Sequence, residues 1–164
     1  MNRNIFQNIG ILNQELLNRY GIVLPKIKSS EKLIKGKLKF KNKVVVITGS
    51  SSGIGKACAY EFAQQGAKVI LAARNENKLI ELENDINKKG GNALYVKTDV
   101  RKIEDCKNLI DKTIEKHGRI DVLINNAGIS MRANFVDLDL SVIKELIDTN
   151  FYGAVYCTKF ALPY

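Results

Sequence analysis

Residues 43–55 read Lys-Val-Val-Val-Ile-Thr-Gly-Ser-Ser-Ser-Gly-Ile-Gly, and the predicted fold is organised around them. Residues 44–47 are a short β-branched run that is apolar on both faces, which is typical of a strand buried in a parallel sheet. Residues 48–55 then turn tightly, and a predicted helix follows. Glycines let backbone approach a ligand, and a helix N-terminus presents free N–H groups. Strand, turn and helix together therefore predict a phosphate-binding cradle.

From Lys43 onward, predicted strands and helices alternate, which is the pattern of a doubly wound α/β sheet. The predicted strands span residues 44–47, 68–72, 93–98 and 122–125. The predicted helices span residues 53–65, 76–88, 103–117 and 141–162. Gly66 and Gly90 suit the ends of the first two helices, and Asn75 suits the start of the second.

Length and composition are those of one globular domain: 164 residues, of which 45% are apolar and 26% charged. The sequence has no apolar run long enough to span a bilayer, and residues 1–25 lack the features of a signal peptide. Cys58, Cys106 and Cys157 are odd in number and far apart. We therefore expect reduced thiols in a cytoplasmic protein, with neither a disulfide framework nor a zinc site.

Residues 1–39 form a predicted leader of different composition. Residues 1–43 hold 10 Lys/Arg and 2 Asp/Glu, a net charge of +8, whereas residues 44–164 carry +1. Apolar residues within 1–24 fit one face of an amphipathic helix, and eight lysines follow. Two interpretations stay open: a helix packed on the body with a solvated linker, which we favour, or contact with an anionic membrane surface. The near-neutral body argues against nucleic acid as a partner.

Two short motifs follow the first and fourth predicted strands: Thr-Gly-x-x-x-Gly-Ile-Gly at 48–55 and Asn-Asn-Ala-Gly at 125–128. The first differs from the common dinucleotide fingerprint G-x-G-x-x-G. Together they resemble the short-chain dehydrogenase/reductase (SDR) family over residues 40–164. The resemblance implies a Rossmann-type parallel sheet with strand order 3-2-1-4, truncated after four strands. Strand four would then be an exposed edge.

The same resemblance implies the cofactor-binding residues. They are Thr48, Gly49, Ser51, Ser52, Gly53, Ile54, Gly55, Arg74, Asp99, Val100, Asn126, Ala127 and Gly128. In the family, the positions of Asp99 and Val100 receive the adenine, and the Asn-Asn-Ala-Gly segment lies beside the nicotinamide ribose. For Asp99, a role as a helix-capping or loop residue is the alternative.

Arg74 bears on the choice of nicotinamide cofactor. An NAD site places an acid at the end of the second strand for the ribose 2′-hydroxyl. Residues 71–75 read Leu-Ala-Ala-Arg-Asn and contain no acid. Because a guanidinium can hold a 2′-phosphate with two hydrogen bonds, Arg74 favours NADP. The alternative is an ordinary surface arginine.

Asn150 lies in the segment Asp-Thr-Asn-Phe-Tyr-Gly at 148–153 and matches the family asparagine that holds a water in the proton relay. The alternative is a solvent-facing asparagine of a helix. The family also uses a Ser and a Tyr-x-x-x-Lys pair, yet no tyrosine here has a lysine four residues later; Tyr156 precedes Lys159 by three. The only histidine, His117, falls in the last turn of the third helix, where a cation suits the dipole. A metal site or a Ser-His-Asp triad is not supported.

Three functions stay open. The first is the N-terminal part of an SDR oxidoreductase that moves hydride between NADP(H) and a small carbonyl or alcohol, inactive as these 164 residues alone. The second is a non-catalytic NADP-binding module. The third is an interaction protein whose last helix and exposed edge assemble with a complementary C-terminal fragment or a second copy.

Overall fold

The computed structural model describes residues 38–164. The predicted amphipathic helix of residues 1–24, most of the lysine-rich linker and the membrane-contact alternative lie outside the described residues. The strands are β1 (Val44–Thr48), β2 (Lys68–Ala73), β3 (Asn92–Lys97) and β4 (Val122–Ile124). The helices are α1 (Gly53–Gln64), α2 (Glu76–Lys88), α3 (Ile103–His117), α4 (Leu140–Ile147) and α5 (Gly153–Ala161).

The four strands form one parallel sheet in the order β3-β2-β1-β4, which confirms the predicted topology. Val45 is in register with Val69 of β2 on one side and with Val122 of β4 on the other. All four carboxyl ends therefore meet at one edge, which is where ligands bind in open α/β sheets. Within residues 38–164, the outer edge of β4 has no neighbouring strand.

The core lies on both faces of the sheet. Successive side chains of a strand point to opposite faces, so Val45 and Ile47 pack in one cluster and Val44 and Val46 in another. The first cluster takes its helical residues from α1 and α2, and the second from α3 and α5. Because helices pack on both faces of the sheet, the first four residues of β1, 44–47, are all apolar.

The helix ends follow local sequence. Asn75 Oδ1 accepts a hydrogen bond from the Lys78 N–H at 3.1 Å and so caps α2 as predicted. Gly118 ends α3 with a φ of 70°, in the left-handed region that glycine tolerates. His117 lies in that last turn, but burial, with the charges of Lys68 and Lys116, lowers the pKa of His117. The neutral imidazole is therefore favoured at pH 7, contrary to the cation that the dipole argument suggests.

The prediction of a single α-helix over residues 141–162 is wrong in one respect. A π-helical segment, Asp148–Tyr152, separates α4 from α5. The buried residues of this stretch are Thr149, Gly153, Cys157 and Ala161, each four apart. A four-residue spacing drifts around an α-helix of 3.6 residues per turn, and the wider π turn offsets part of that drift.

Among residues 38–164, no helix is both long enough and apolar enough to cross a membrane. The thiols of Cys58, Cys106 and Cys157 are free. Cys106 and Cys157 are buried between α3 and α5, where the neighbouring Cys157 thiol and burial raise the pKa of Cys106. These thiols therefore serve as small core side chains.

Candidate functional site

The turn after β1 is built around three glycines with different constraints. Gly49 has a φ of 67°, and a Cβ there would lie 2.8 Å from Ala127 Cα. A Cβ on Gly55 would lie 2.5 Å from both the Gly49 carbonyl oxygen and Asn126 Nδ2. Gly53, with a φ of 54°, faces open space. Gly49 and Gly55 therefore permit close packing, whereas Gly53 leaves room beside the start of α1.

A network of hydrogen bonds joins this turn to the Asn-Asn-Ala-Gly segment after β4. Thr48 Oγ1 accepts hydrogen bonds from the Asn126 and Ala127 N–H groups, each at 3.0 Å. Asn126 Nδ2 in turn donates to the carbonyls of Thr48 and Gly49, at 3.0 and 3.2 Å. The two motifs, about eighty residues apart in sequence, thus form one structural unit at the carboxyl edge of the sheet.

Ser50 fixes the turn on its other side. Its side chain is fully buried, and its backbone N–H donates to the Ala72 carbonyl of β2 at 3.2 Å. The turn is therefore attached to both neighbours of β1. The sequence did not indicate Ser50, because nothing in the motif shows which serine faces inward.

A cavity of about 510 Å³ opens above this unit. Most predicted cofactor-binding residues line it: Gly49, Ser51, Ser52, Gly53, Ile54, Arg74, Asp99, Val100, Asn126, Ala127 and Gly128. Of the described residues, Thr48, Gly55 and Asn150 support the cavity without being part of its lining. The remaining lining residues, which the sequence did not indicate, are Ala73, Asn75, Thr98, Ile129 and Thr149.

The start of α1 forms one wall of the cavity. Ser52 precedes the helix in an extended conformation, and its side chain makes no capping hydrogen bond. The first helical N–H groups have no partner within the helix, and the helix dipole makes this end positive. The first turn of α1 carries no acidic residue. This wall is therefore suited to an anion such as a phosphate.

Charged residues form the rim of the cavity. Arg101 holds both carboxylate oxygens of Asp99, with Nε at 2.9 Å from Oδ1 and Nη2 at 2.5 Å from Oδ2. The hydrogen bonds from Arg101 lower the pKa of Asp99, and those to Asp99 raise the pKa of Arg101. Asp99 is thus ionised and already paired. Arg74 lines the same cavity with a side chain that is 57% exposed.

Thr149 places an unusual hydroxyl in the cavity wall. The residue is 7% exposed, and its Oγ1 has no hydrogen-bond partner among the described residues. A buried hydroxyl without a partner costs free energy, so such groups are uncommon unless a ligand or water completes them. Thr149 lies beside the matched Asn150, which was the nearest signal in the sequence.

Asn150 itself holds the loop after β4. Its Oδ1 accepts from the Ile129 N–H and its Nδ2 donates to the Ile129 carbonyl, both at 2.8 Å. The side-chain amide is therefore fully engaged by backbone. The segment from Asn126 to Ile129 is fixed at both ends, by Thr48 and by Asn150.

The described residues offer little to bind a metal ion. No cluster of three or more His, Cys, Asp or Glu side chains suited to a metal ion occurs within residues 38–164. Tyr156 stacks on Tyr152 with ring centroids 5.8 Å apart, in the helical stretch that follows Asn150. The cavity at the sheet edge is thus surrounded by backbone, amides and hydroxyls, with Arg74 in its lining and Arg101 paired with Asp99 beside it.

Comparison with known proteins agrees with this geometry. The family model described as "short chain dehydrogenase" matches residues 43–164. The chain therefore belongs to the short-chain dehydrogenase family of oxidoreductases. This confirms the resemblance to that family that was based on the motifs at 48–55 and 125–128. Members of this family bind a nicotinamide cofactor.

Relatives of several descriptions share this segment. "11-beta-hydroxysteroid dehydrogenase A" of Sesamum indicum is 46% identical over 124 residues, covering 74% of this chain and 36% of that protein. "Uncharacterized oxidoreductase YxnA" of Bacillus subtilis is 43% identical over 140 residues, covering 85% of this chain and 38% of that protein. The chain thus spans less than half the length of these curated relatives.

Solved structures show the same fold. A short chain dehydrogenase from Mycobacterium smegmatis matches with a TM-score of 0.75 and 32% identity, over 79% of this chain and 54% of that one. A hydroxysteroid dehydrogenase from Escherichia coli matches with a TM-score of 0.74 and 28% identity, over 77% of this chain and 54% of that one.

Proposed function

We propose that residues 40–164 form the NADP(H)-binding domain of an oxidoreductase that moves hydride between the cofactor and a small carbonyl or alcohol substrate. This proposal rests on the cavity, which is lined by residues of the two motifs at 48–55 and 125–128, by the start of α1 and by Arg74. Family membership supports the reaction class, and the relatives leave the substrate of this chain open. A site in the cytoplasm is part of the proposal.

The residues present fit such a cofactor. The backbone of residues 49–54 and the N-terminus of α1 would hold the pyrophosphate, because this wall is positive and Gly53 leaves it open. Asp99 and Val100 would border the adenine, and residues 126–128 the nicotinamide ribose. Thr149 Oγ1 supplies a buried hydrogen-bonding group that lacks a partner among the described residues and so suits a polar ligand.

Arg74 would select NADP over NAD. It follows β2 directly, lines the cavity and has a side chain that is more than half exposed. An NAD site would carry an acid here to bind the ribose 2′-hydroxyl, but the two residues before Arg74 are Ala72 and Ala73. A 2′-phosphate would therefore meet the cation of Arg74, and the two residues that precede Arg74 carry no carboxylate to repel it.

Bound NADPH would supply the hydride that reduces a carbonyl carbon. The alkoxide that results must receive a proton, and residues 1–164 contain no Tyr-x-x-x-Lys pair to donate it. Asn150 would contribute indirectly, by fixing the loop at Ile129 beside the cavity. We therefore expect these 164 residues to bind the cofactor and to reduce carbonyls poorly on their own.

The test of cofactor choice is a titration of NADP and NAD into the wild-type chain and into Arg74→Asp. A charge-assisted contact contributes about 1.5–3 kcal/mol, so the wild type should bind NADP roughly tenfold to a hundredfold more tightly than NAD, and the variant should lose this preference. Arg132→Asp, which makes the same change at an exposed loop residue outside the cavity lining, is the matched control. Equal binding of both cofactors by the wild type would contradict the proposal.

Activity is tested separately with reduced NADP and a panel of ketones and aldehydes. Loss of general acid catalysis alone typically costs 10²–10⁴-fold, so turnover by the 164-residue chain should be at most marginal. Robust turnover would show that the proton donor lies within these residues. Adding a polypeptide that carries the remaining elements of a family member should raise activity if the missing groups are supplied in trans.

A non-catalytic interaction module is the second candidate, favoured by one observation. Apolar side chains of the stretch from α4 to α5 are exposed: Leu140, Ile147, Phe151 and Val155. Exposed apolar patches often mark interaction sites. Because the solved relatives are about twice as long as the matched segment, the occupant that we propose is a complementary fragment with the remaining elements of the fold. Sedimentation should then show a monomer that binds such a fragment, and a stable dimer would favour a second copy instead.

A further inference from the structure

Four charged residues from three parts of the fold meet at the cavity rim. Arg74 follows β2, Asp99 and Arg101 follow β3, and Glu145 lies in the last turns of α4. Glu145 Oε1 accepts a hydrogen bond from Arg101 Nη1 at 2.6 Å and lies 3.9 Å from Arg74 Nη1. One carboxylate oxygen of Glu145 thus faces both arginines.

The two arginines are not equivalent. Arg101 is fully engaged, because Asp99 occupies one side of its guanidinium and Glu145 takes Nη1. Arg74 has only the longer contact to Glu145 among the described ion pairs, and it is the arginine that lines the cavity. The cluster has two positive and two negative charges and is neutral overall. Because Arg74 already contacts Glu145, an anionic ligand that binds Arg74 must compete with that carboxylate.

We propose that Glu145 is a specificity-determining residue whose carboxylate weakens the preference for NADP by competing with the 2′-phosphate for Arg74. The inference rests on the proposed NADP site and adds a residue of α4 to it. It also gives α4, which has no buried residues, an electrostatic role at the cofactor cavity.

The sign follows from charge. A 2′-phosphate is an anion near Glu145, so it meets repulsion from the carboxylate as well as attraction from Arg74. The 2′-hydroxyl of NAD is neutral and is affected little by either charge. Neutralising Glu145 should therefore strengthen binding of NADP and leave binding of NAD nearly unchanged. If Glu145 instead held Arg74 in its binding position, neutralisation would weaken binding of NADP.

The test is a titration of NADP and NAD into the full 164-residue chain carrying Glu145→Gln. The side chain is 45% exposed and glutamine has the same shape, so the fold should be retained, which circular dichroism checks. Exposed ion pairs have modest strength, so the ratio of NADP to NAD affinity should rise about twofold to fivefold. Asp111→Asn is the matched control, because it neutralises a similarly exposed acid paired with Lys107 outside the cavity lining. Its ratio should equal that of the wild type.

A double-mutant cycle isolates the proposed route. In an Arg74→Gln background, Glu145→Gln should raise the ratio less than in the wild type, because the contested cation is absent and only direct repulsion by the carboxylate is relieved. An unchanged or reduced ratio in the single variant, or an equal rise in both backgrounds, would overturn the inference while leaving the NADP site intact. A wild type without any preference for NADP would overturn the proposed function, and this inference with it.

Discussion

β1 and β4 are neighbours in the sheet and each ends in a glycine-containing turn at the cavity, yet their surroundings differ. β1 has five buried residues and strands on both sides. β4 has three half-buried residues and, within the described chain, a strand on one side only. The turn after β1 is thus positioned by the apolar core, whereas the turn after β4 depends on polar contacts. The cavity needs both turns, so those contacts are as important to the site as the core.

Three of the side chains that make polar contacts on the β4 side can be tested separately. Asp121 joins the start of β4 to the start of β1, Thr48 joins the two turns, and Asn150 holds the loop at Ile129. Substitutions at these positions measure how much the polar contacts of β4 contribute to stability. Substitutions in the turn after β1 measure the contribution of its close packing.

The largest effect is expected for Gly49→Ala, which strains the backbone at a φ of 67° and places a Cβ 2.8 Å from Ala127 Cα. The free energy of unfolding should fall by about 3 kcal/mol in urea denaturation. Gly53→Ala is the control, because Gly53 has a φ of 54° but faces open space, so the loss should be only about 1 kcal/mol. Equal losses would show that contact between the two turns is unimportant.

The next effect concerns Asp121, whose side chain is 8% exposed. Burial alone would raise the pKa of Asp121, but hydrogen bonds from Lys43, the Val44 N–H and Arg119 lower it to about 2. The pKa of an aspartate in the unfolded chain is about 3.9, so the carboxylate should contribute about 2 kcal/mol at neutral pH. A folded pKa below the unfolded one means that this contribution is present above about pH 4 and disappears as the pH falls through 2.

Asp121→Asn should therefore lower the free energy of unfolding at pH 7 and leave it nearly unchanged near pH 2. Urea titrations of wild type and variant over this range measure the difference directly. A difference that does not shrink on acidification would mean that the charge of Asp121 is not what joins β4 to β1.

A smaller effect is expected for Thr48→Val, which keeps the shape but leaves the Asn126 and Ala127 N–H groups without their acceptor. The free energy of unfolding should fall by about 1.5 kcal/mol. Thr48→Ser keeps the hydroxyl and should lose much less. Similar losses for valine and serine would indicate that packing of the methyl group matters more than the hydrogen bonds between the turns.

The smallest effect on stability is expected for Thr149→Val, because the Thr149 hydroxyl has no partner among residues 38–164 to lose. The free energy of unfolding should change by no more than about 0.5 kcal/mol. If the hydroxyl contacts the bound cofactor, the dissociation constant for NADP should still rise about threefold to tenfold. Thr149→Ser is the control for both measurements. Unchanged affinity would remove Thr149 from the site.

Buried apolar patterns in the sequence predicted the strands, because they are local signals, and the resemblance to the short-chain dehydrogenase/reductase family supplied the sheet order and most of the cavity lining. The sequence did not predict the bonds of Thr48 to Asn126, since a contact across about eighty residues follows only once two strands are paired. Nor did it predict the inward side of Thr149, which depends on the π segment, or the meeting of Glu145 with Arg74. Glu145 belongs to no motif, and only the folded structure brings it close to Arg74.

We infer that the turns after β1 and β4 form a single cradle for one nicotinamide dinucleotide. Titration of NADP into the ¹⁵N-labelled chain, followed by the backbone amide resonances, tests it most directly. We predict saturable shifts with one common dissociation constant at residues 49–54 and at residues 126–128, with Arg74 shifting for NADP more than for NAD. Shifts confined to one of the two turns, or the absence of saturable shifts at both, would contradict it.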